Sequence, residues 1–160
     1  MAFGSTSSVF REWNVMMLNN SGTSYTGIDS DTILAALFNN SVTPDKDAVV
    51  GSTGYNTGTW VTANELTDAN WAAKGRALAS KTITTPTTGV VMFDAADTAG
   101  AGNVTISNAY GVLVLDDSVT GGSVVDQGIC FNAFGGAASV TAGSFTVAWN
   151  ANGVARWTSS

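Results

Sequence analysis

The sequence predicts a mainly β fold, either an antiparallel β-sandwich or a jelly-roll-like barrel, with a short N-terminal helix. Short apolar or alternating segments recur from residue 31 to residue 157 at a spacing of roughly ten residues, which is typical of such folds. Turn-forming Gly, Asn, Asp and Ser clusters separate them, and the clearest helical spacing lies near the N-terminus. Because 160 residues can bury one sizeable core, we predict a single domain over residues 1–160.

The chain begins with a small, polar segment, residues 1–8, which we predict to be an extended arm. A helix is predicted over residues 8–19, with Ser7 or Ser8 as its N-cap. The apolar residues of this segment recur at spacings of three and four and form one stripe: Val9, Phe10, Trp13, Met16 and Met17. We expect this stripe to pack on the core.

The next elements are predicted from short apolar runs and their boundaries. Ile33–Phe38 fits a strand that is buried on both faces, although a short helix has the same pattern. Thr43–Asp47 contains Pro and Asp and predicts a turn. Glu65–Ala72 has a helical composition, and Trp71 would anchor that helix on the core.

The second half of the chain predicts a series of strands. β-Branched or alternating runs occupy residues 81–85, 90–94, 103–107, 109–115 and 124–134. Gly135-Gly136 is expected to break the last of them.

The C-terminal residues 139–157 predict a β-hairpin. Phe145, Val147 and Trp149 alternate with small or polar residues, so that one face of a strand is directed to the core. Asn152-Gly153 suits a tight turn, and the return strand would place Trp157 opposite Ala148, away from Trp149.

Composition narrows the function classes. Charged residues make up 11% of the chain, less than half the usual share, and the net charge of −6 comes with only six scattered Lys and Arg, so we predict no nucleic-acid partner. The chain has no His, which removes the commonest general base and the usual zinc ligands.

Cys130 lies in an apolar run and is predicted to be a buried, inert thiol. No apolar run is long enough to span a membrane, and no signal peptide is expected.

Acidic residues occur in four local pairs, which are Asp29/Asp31, Asp45/Asp47, Asp94/Asp97 and Asp116/Asp117. Paired carboxylates can divide acid and base roles in hydrolysis or bind Ca²⁺. Each pair also lies beside a predicted turn, where an Asp side chain accepts hydrogen bonds from nearby backbone N–H groups. We favour the turn interpretation and predict no catalytic, cofactor or metal site.

A series of motifs in a fixed order gives the chain its resemblance to known proteins. They are Ser30-Asp31-Thr32-Ile33-Leu34-Ala35-Ala36-Leu37, Thr43-Pro44-Asp45, Gly54-Tyr55-Asn56-Thr57-Gly58, the valine-rich strand from Gly111 to Asp116, Phe134-Gly135-Gly136, and the Gly-x-Phe-Thr-Val-x-Trp-x-x-x-Gly pattern from Gly143 to Gly153. In this order the chain resembles a family of small virion proteins of tailed bacteriophages, similar to head decoration (cement) proteins.

The resemblance implies a structural role on the outside of a capsid. Such a protein binds the outer surface of the major capsid protein shell, stabilises the head, and often forms trimers. It implies a homo-oligomer located in the virion, made in the bacterial cytoplasm, with no enzymatic activity. The candidate partner contacts are Phe3, in the N-terminal arm, and Trp157, beyond the last strand; ordinary core packing is the alternative for both.

Two further hypotheses follow from individual residues. A tail or fibre-associated protein would bind host carbohydrate through Tyr55 and Trp60, since aromatic side chains beside amides and carboxylates hold sugars. A small hydrolase would use the Asp116/Asp117 pair.

Overall fold

A computed structural model describes residues 3–4, 6–19, 24–121 and 124–159. The fold is mainly β, with antiparallel pairing and a short helix near the N-terminus, as predicted. The elements in chain order are β1 (Ser8–Val9), α1 (Arg11–Asn19), β2 (Ile33–Phe38), a 3-10 turn (Thr62–Asn64), β3 (Glu65–Leu66), β4 (Arg76–Ala77), β5 (Thr82–Thr84), β6 (Val90–Asp94), β7 (Thr98–Ala99), β8 (Val104–Asp116), β9 (Gln127–Gly143), β10 (Thr146–Val147) and β11 (Ala155–Thr158).

The strands form three antiparallel sheets. The largest has six strands in the order β1-β9-β8-β2-β3, with β4 also paired to β2. A three-stranded sheet has the order β11-β6-β5, and β10 pairs with β7. Within the described residues none of these sheets closes into a barrel, so the architecture is sandwich-like.

The centre of the largest sheet is β2, which pairs with β8 from Ile33 opposite Asp116 to Phe38 opposite Gly111. Its continuous apolar run is buried on both faces, which confirms the strand interpretation of this segment. The predicted strand Val90–Asp94 is also confirmed, with the same bounds, and the predicted turn forms where Ala48 N–H donates to Asp45 O (3.3 Å).

An aromatic cluster around Trp60 fills the core on one side of the six-stranded sheet. The rings of Phe3, Phe10 and Phe38 meet the Trp60 ring edge-on, with centroids 5.9, 5.9 and 5.2 Å away. Edge-to-face contacts add to the free energy gained from burying these large rings. The cluster leaves no room for a side chain at Gly111, because a Cβ there would lie 2.3 Å from the Phe3 ring.

Two predicted helical boundaries are wrong. The N-terminal helix begins at Arg11 rather than at residue 8, because Ser8 and Val9 pair with Phe131 and Cys130 of β9. Ser7 and Ser8 therefore do not cap it. Residues 1, 2 and 5 of the predicted arm lie outside the described residues.

The predicted helix over Glu65–Ala72 is also absent from the structure. Glu65–Leu66 forms β3 against β2, and Asp68 and Trp71 then exchange backbone hydrogen bonds of 2.9 and 3.0 Å across a tight turn. Trp71 is buried, so its predicted anchoring role holds although the helix does not.

Gly135-Gly136 does not end a strand. β9 runs through this pair, and the six residues from Ala133 to Ala138 lie along the stretch that three residues, Gly111 to Ala109, cover in β8. The glycines form a bulge, with Gly135 at φ +78°.

The C-terminal hairpin is likewise not formed. The turn exists, since Gly153 N–H donates to Asn150 O (2.8 Å). The flanking strands then separate, β10 to pair with β7 and β11 to pair with β6. Phe145 and Val147 nevertheless are buried, as the alternation predicted.

Candidate interaction surface

Phe3 belongs to the core of this chain. Its side chain is 1% exposed and packs against Trp60. Its backbone N–H donates to Asn40 Oδ1 at 2.8 Å, which fixes the segment on the sheet. The packing interpretation therefore applies to Phe3, and its side chain is not accessible for a partner contact.

Trp157 is half-buried and lies in a different place from that predicted. It pairs with Val91 of β6, not with Ala148. Its indole Nε1–H donates to Asn14 Oδ1 of α1 at 2.8 Å, so this side chain connects the helix to the three-stranded sheet. The partly exposed ring lines a surface depression.

This depression, which we call the threonine hollow, lies at the turn between β5 and β6 and beside the end of β11. It has a volume of about 590 Å³. Its lining carries no charged side chain and consists of Thr85, Thr87, Thr88, Gly89, Val90, Val91, Trp157, Thr158 and Ser159. An open, uncharged hollow with one aromatic side chain is suited to contact with another protein surface.

Tyr55 and Trp60 do not form a sugar-binding platform. Trp60 is 1% exposed and surrounded by phenylalanine rings. Tyr55 is also buried, and its hydroxyl donates to Glu65 Oε2 at 2.6 Å. Burial and this contact raise the pKa of Tyr55 to about 12 and hold the phenol neutral.

A partly exposed ionic cluster lies next to Tyr55. Lys74 Nζ is 2.7 Å from both Asp117 Oδ1 and Asp126 Oδ2, and 5.9 Å from the centre of the Tyr55 ring. Burial alone lowers the pKa of Lys74, but the two carboxylates outweigh that effect and raise the pKa above its usual value. The cluster ties the segments that follow β8 to the segment before β4.

Asp116 points into the protein, unlike its neighbour Asp117. Its side chain is fully buried; Oδ1 accepts the Ser118 N–H at 2.9 Å, and Oδ2 has no hydrogen-bond partner among the described residues. Burial, together with the negative charge of the adjacent Asp31, raises the pKa of Asp116 to about 7. The two carboxyls that the hydrolase hypothesis would use, Asp116 and Asp117, therefore do not face one cleft.

Asp31 is the charged member of the buried carboxyl pair with Asp116. Its carboxylate accepts backbone N–H bonds from Thr26 (3.0 Å) and Gly27 (3.3 Å), and a further bond from the Thr26 hydroxyl. Although burial works in the other direction, these donors hold the pKa of Asp31 below its usual value.

In two of the other acidic pairs, Asp45 and Asp94 accept local backbone hydrogen bonds, as the turn interpretation predicts, whereas Asp97 contacts a distant segment. Asp45 Oδ1 accepts the Asp47 N–H and Asp94 Oδ1 accepts the Ala95 N–H, both at 2.9 Å. Asp97 Oδ1 accepts the Trp149 N–H at 3.0 Å. Among the described residues, which include all Asp and Glu of the chain, no three acidic or Cys side chains are grouped as metal ligands.

Cys130 is buried, with 1% exposure, and burial raises the pKa of its thiol to about 12. The predicted burial of Cys130 is therefore confirmed, and the raised pKa favours the protonated thiol, which is the less reactive form.

The sequence did not identify the threonine hollow. Two sequence features could have pointed to it. Residues 82–88 include five Thr, and residues 82–93 include no charged side chain. Such a composition fits any exposed strand and turn. The hollow exists because β11 pairs with β6, a contact between distant parts of the chain.

No helix in the described ranges is both long and apolar enough to cross a membrane. Comparison of the chain with protein-family models, curated proteins and solved structures finds no match.

Proposed function

We propose that this chain is a capsid decoration protein of a tailed bacteriophage, which binds the outer surface of the major capsid protein shell and stabilises the head. The order of its sequence motifs, from the Asp-Thr-Ile segment at residue 31 to the pattern ending at Gly153, supports this proposal. The threonine hollow is the structural observation that carries it.

The hollow offers a contact surface of the kind that structural proteins use. Its lining is uncharged, and it includes the partly exposed ring of Trp157 and the apolar side chain of Val91, which is 42% exposed. Interface centres are typically depleted in charged residues and enriched in aromatic ones. A hollow of this composition can receive a projecting side chain from a shell subunit without leaving a charge unpaired.

The proposed mechanism is mechanical rather than chemical. Each copy contributes a modest interface to a shell that carries many copies, and a subunit clamped at several points dissociates only when all contacts open together. The shell then resists the internal pressure of packaged DNA better than the bare shell does.

The proposal is tested with expanded capsid shells that lack this protein. Purified protein should bind such shells and raise their disruption temperature. Thr88→Lys places a charge in the hollow and should weaken binding at least tenfold, whereas Thr141→Lys, on an exposed position of β9, should leave binding unchanged.

Binding that both variants retain would exclude the hollow as the contact. Absence of any affinity for shells, together with recovery of the protein only in purified tails, would overturn the decoration role and favour the tail hypothesis.

A further inference from the structure

The strand β5 forms an open edge of the three-stranded sheet. β11-β6-β5 is the strand order, so no strand of the described residues pairs with the other side of Thr82–Thr84. All three residues are exposed, and so is the segment that follows as far as Gly89. An open edge presents unpaired backbone N–H and C=O groups to which another strand can pair.

The backbone of β5 is regular, which distinguishes it from the longer edge of β9. β5 pairs with β6 residue by residue, from Thr82 opposite Asp94 to Thr84 opposite Met92, without a shift. On the side of β9 away from β8, residues 134–143 also have no strand partner in the part of the chain that the structure describes, but bulges displace this edge. Bulges disturb the spacing of backbone groups and protect an edge from further pairing.

The β5 edge also lacks the charged side chains that commonly protect edges. Residues 82–93 contain no Lys, Arg, Asp or Glu. Ile83 lies opposite Phe93, and Val91 is two residues from Phe93, so all three side chains are on one face of the sheet. Ile83 is 48% exposed and Val91 is 42% exposed, which places apolar surface next to the open backbone.

We propose that β5 is a self-association edge, at which β5 of a second copy pairs antiparallel about a two-fold axis. The resulting sheet would have six strands in the order β11-β6-β5-β5-β6-β11. The inference concerns the free chain and does not depend on a capsid shell.

A second copy fits this edge for two reasons. An antiparallel pair of identical strands is symmetric about a two-fold axis. The backbone groups of one edge can therefore bond with those of the same edge in a second copy, and the assembly closes as a dimer. The strands that meet are uncharged, so two chains of net charge −6 bring no like charges together at the contact. With the axis at Ile83, this side chain meets its own copy, and Thr82 lies opposite Thr84 of the second copy.

Disulfide trapping tests the pairing and its register. Directly opposite residues of an antiparallel pair have Cα atoms about 4.5–5.5 Å apart, within the range that a disulfide bridges. Ile83→Cys should form a covalent dimer under mild oxidation. Val125→Cys is the matched control, because Val125 is 52% exposed and lies on a different segment, and the native Cys130 is buried.

The register predicts a second result. A mixture of Thr82→Cys and Thr84→Cys proteins should form the mixed dimer at least tenfold faster than either protein forms its own dimer. Equal rates for Ile83→Cys and Val125→Cys, or no dimer of Ile83→Cys, would overturn the proposal.

A charge at the axis provides an independent measurement. Sedimentation equilibrium at protein concentrations up to about 1 mM detects weak association. Ile83→Lys should weaken the dimer at least tenfold, since two ammonium groups then meet at the axis, and Val125→Lys should not. Ile83 is at an exposed edge, so both variants should keep the wild-type melting temperature within a few degrees. A dimer that survives Ile83→Lys, or a wild-type chain that stays monomeric throughout, would refute self-pairing of β5.

Discussion

The six-stranded and the three-stranded sheets differ sharply in burial. In β2 five of six residues are buried, whereas all three residues of β5 are exposed. The first sheet carries the aromatic cluster around Trp60, and the second carries the threonine hollow and an open edge. The central strand of the first sheet is therefore buried in the core, whereas the edge strand of the second is exposed on the surface.

The largest expected effect on stability comes from disrupting the aromatic cluster around Trp60. Trp60→Ala removes a ring that three phenylalanines contact edge-on, and it should lower the free energy of unfolding by about 3–5 kcal/mol. Ile83→Ala on β5 should change it by less than about 0.5 kcal/mol. Urea denaturation measures both. If both variants lowered the free energy of unfolding by similar amounts, the two regions would not differ in their contribution to stability.

The next effect concerns pH and the buried Asp116. The folded protein holds a proton on this group up to about pH 7, whereas in the unfolded chain it dissociates near its ordinary pKa of 3.8. The folded state therefore binds more protons between about pH 4 and 7, and stability should fall by about 2–4 kcal/mol as pH rises through that range. Thermal or urea unfolding at several pH values measures this slope.

Asp116→Asn tests the cause of this slope. An amide at this position has no charge to bury, so the variant should lose most of the slope and exceed the wild type in stability at pH 8. A smaller slope of the same sign remains from Glu65, whose pKa burial also raises. Parallel pH profiles for wild type and Asp116→Asn would contradict the assignment to Asp116.

A smaller effect is expected at the contact between α1 and the three-stranded sheet. Trp157→Phe keeps an aromatic ring but loses the indole N–H that donates to Asn14. This variant should lower the free energy of unfolding by about 1 kcal/mol. Asn14→Ala should cost a similar amount. If the hydrogen bond is the cause, the double variant costs less than the sum of the two, which a double-mutant cycle by urea denaturation measures.

The smallest effects are expected in the bulge of β9. A Cβ at Gly135 or Gly136 would meet nothing within 4 Å, so packing does not distinguish them. Gly135 has φ +78° and Gly136 does not have a positive φ. Gly135→Ala should therefore destabilise by about 1 kcal/mol, while Gly136→Ala should stay within about 0.5 kcal/mol of the wild type. Equal melting temperatures for these variants would show that the bulge changes conformation freely.

Local sequence patterns predicted the secondary structure correctly where the residues next to a segment determine whether it forms a strand or a turn. Ile33–Phe38 and Val90–Asp94 are apolar runs bounded by turn residues, and both are strands with the predicted bounds. The turn at Asp45 and the buried Cys130 also depended on local chemistry. The mainly β class followed from the same signals.

Distant pairing explains the elements that the sequence did not reveal. Glu65–Leu66 is a strand because β2 lies beside it, although its composition favours a helix. The C-terminal strands separate because β7 and β6 offer partners that no local pattern specifies. For the same reason the candidate site was only partly predictable: Trp157 lines the hollow, while Phe3 is buried.

The bond between Asn14 and Trp157 has a consequence for synthesis of the protein. The two residues are 143 positions apart, so the ribosome adds 143 residues after Asn14 before its partner exists. At about 5–20 residues per second this takes on the order of 10 s. Throughout that time the helix cannot make this contact, and its buried side chains Trp13 and Met16 lack the strands that complete the core. The nascent chain is therefore expected to depend on protection of its first segment, and the released chain to fold slowly, as proteins rich in distant contacts do.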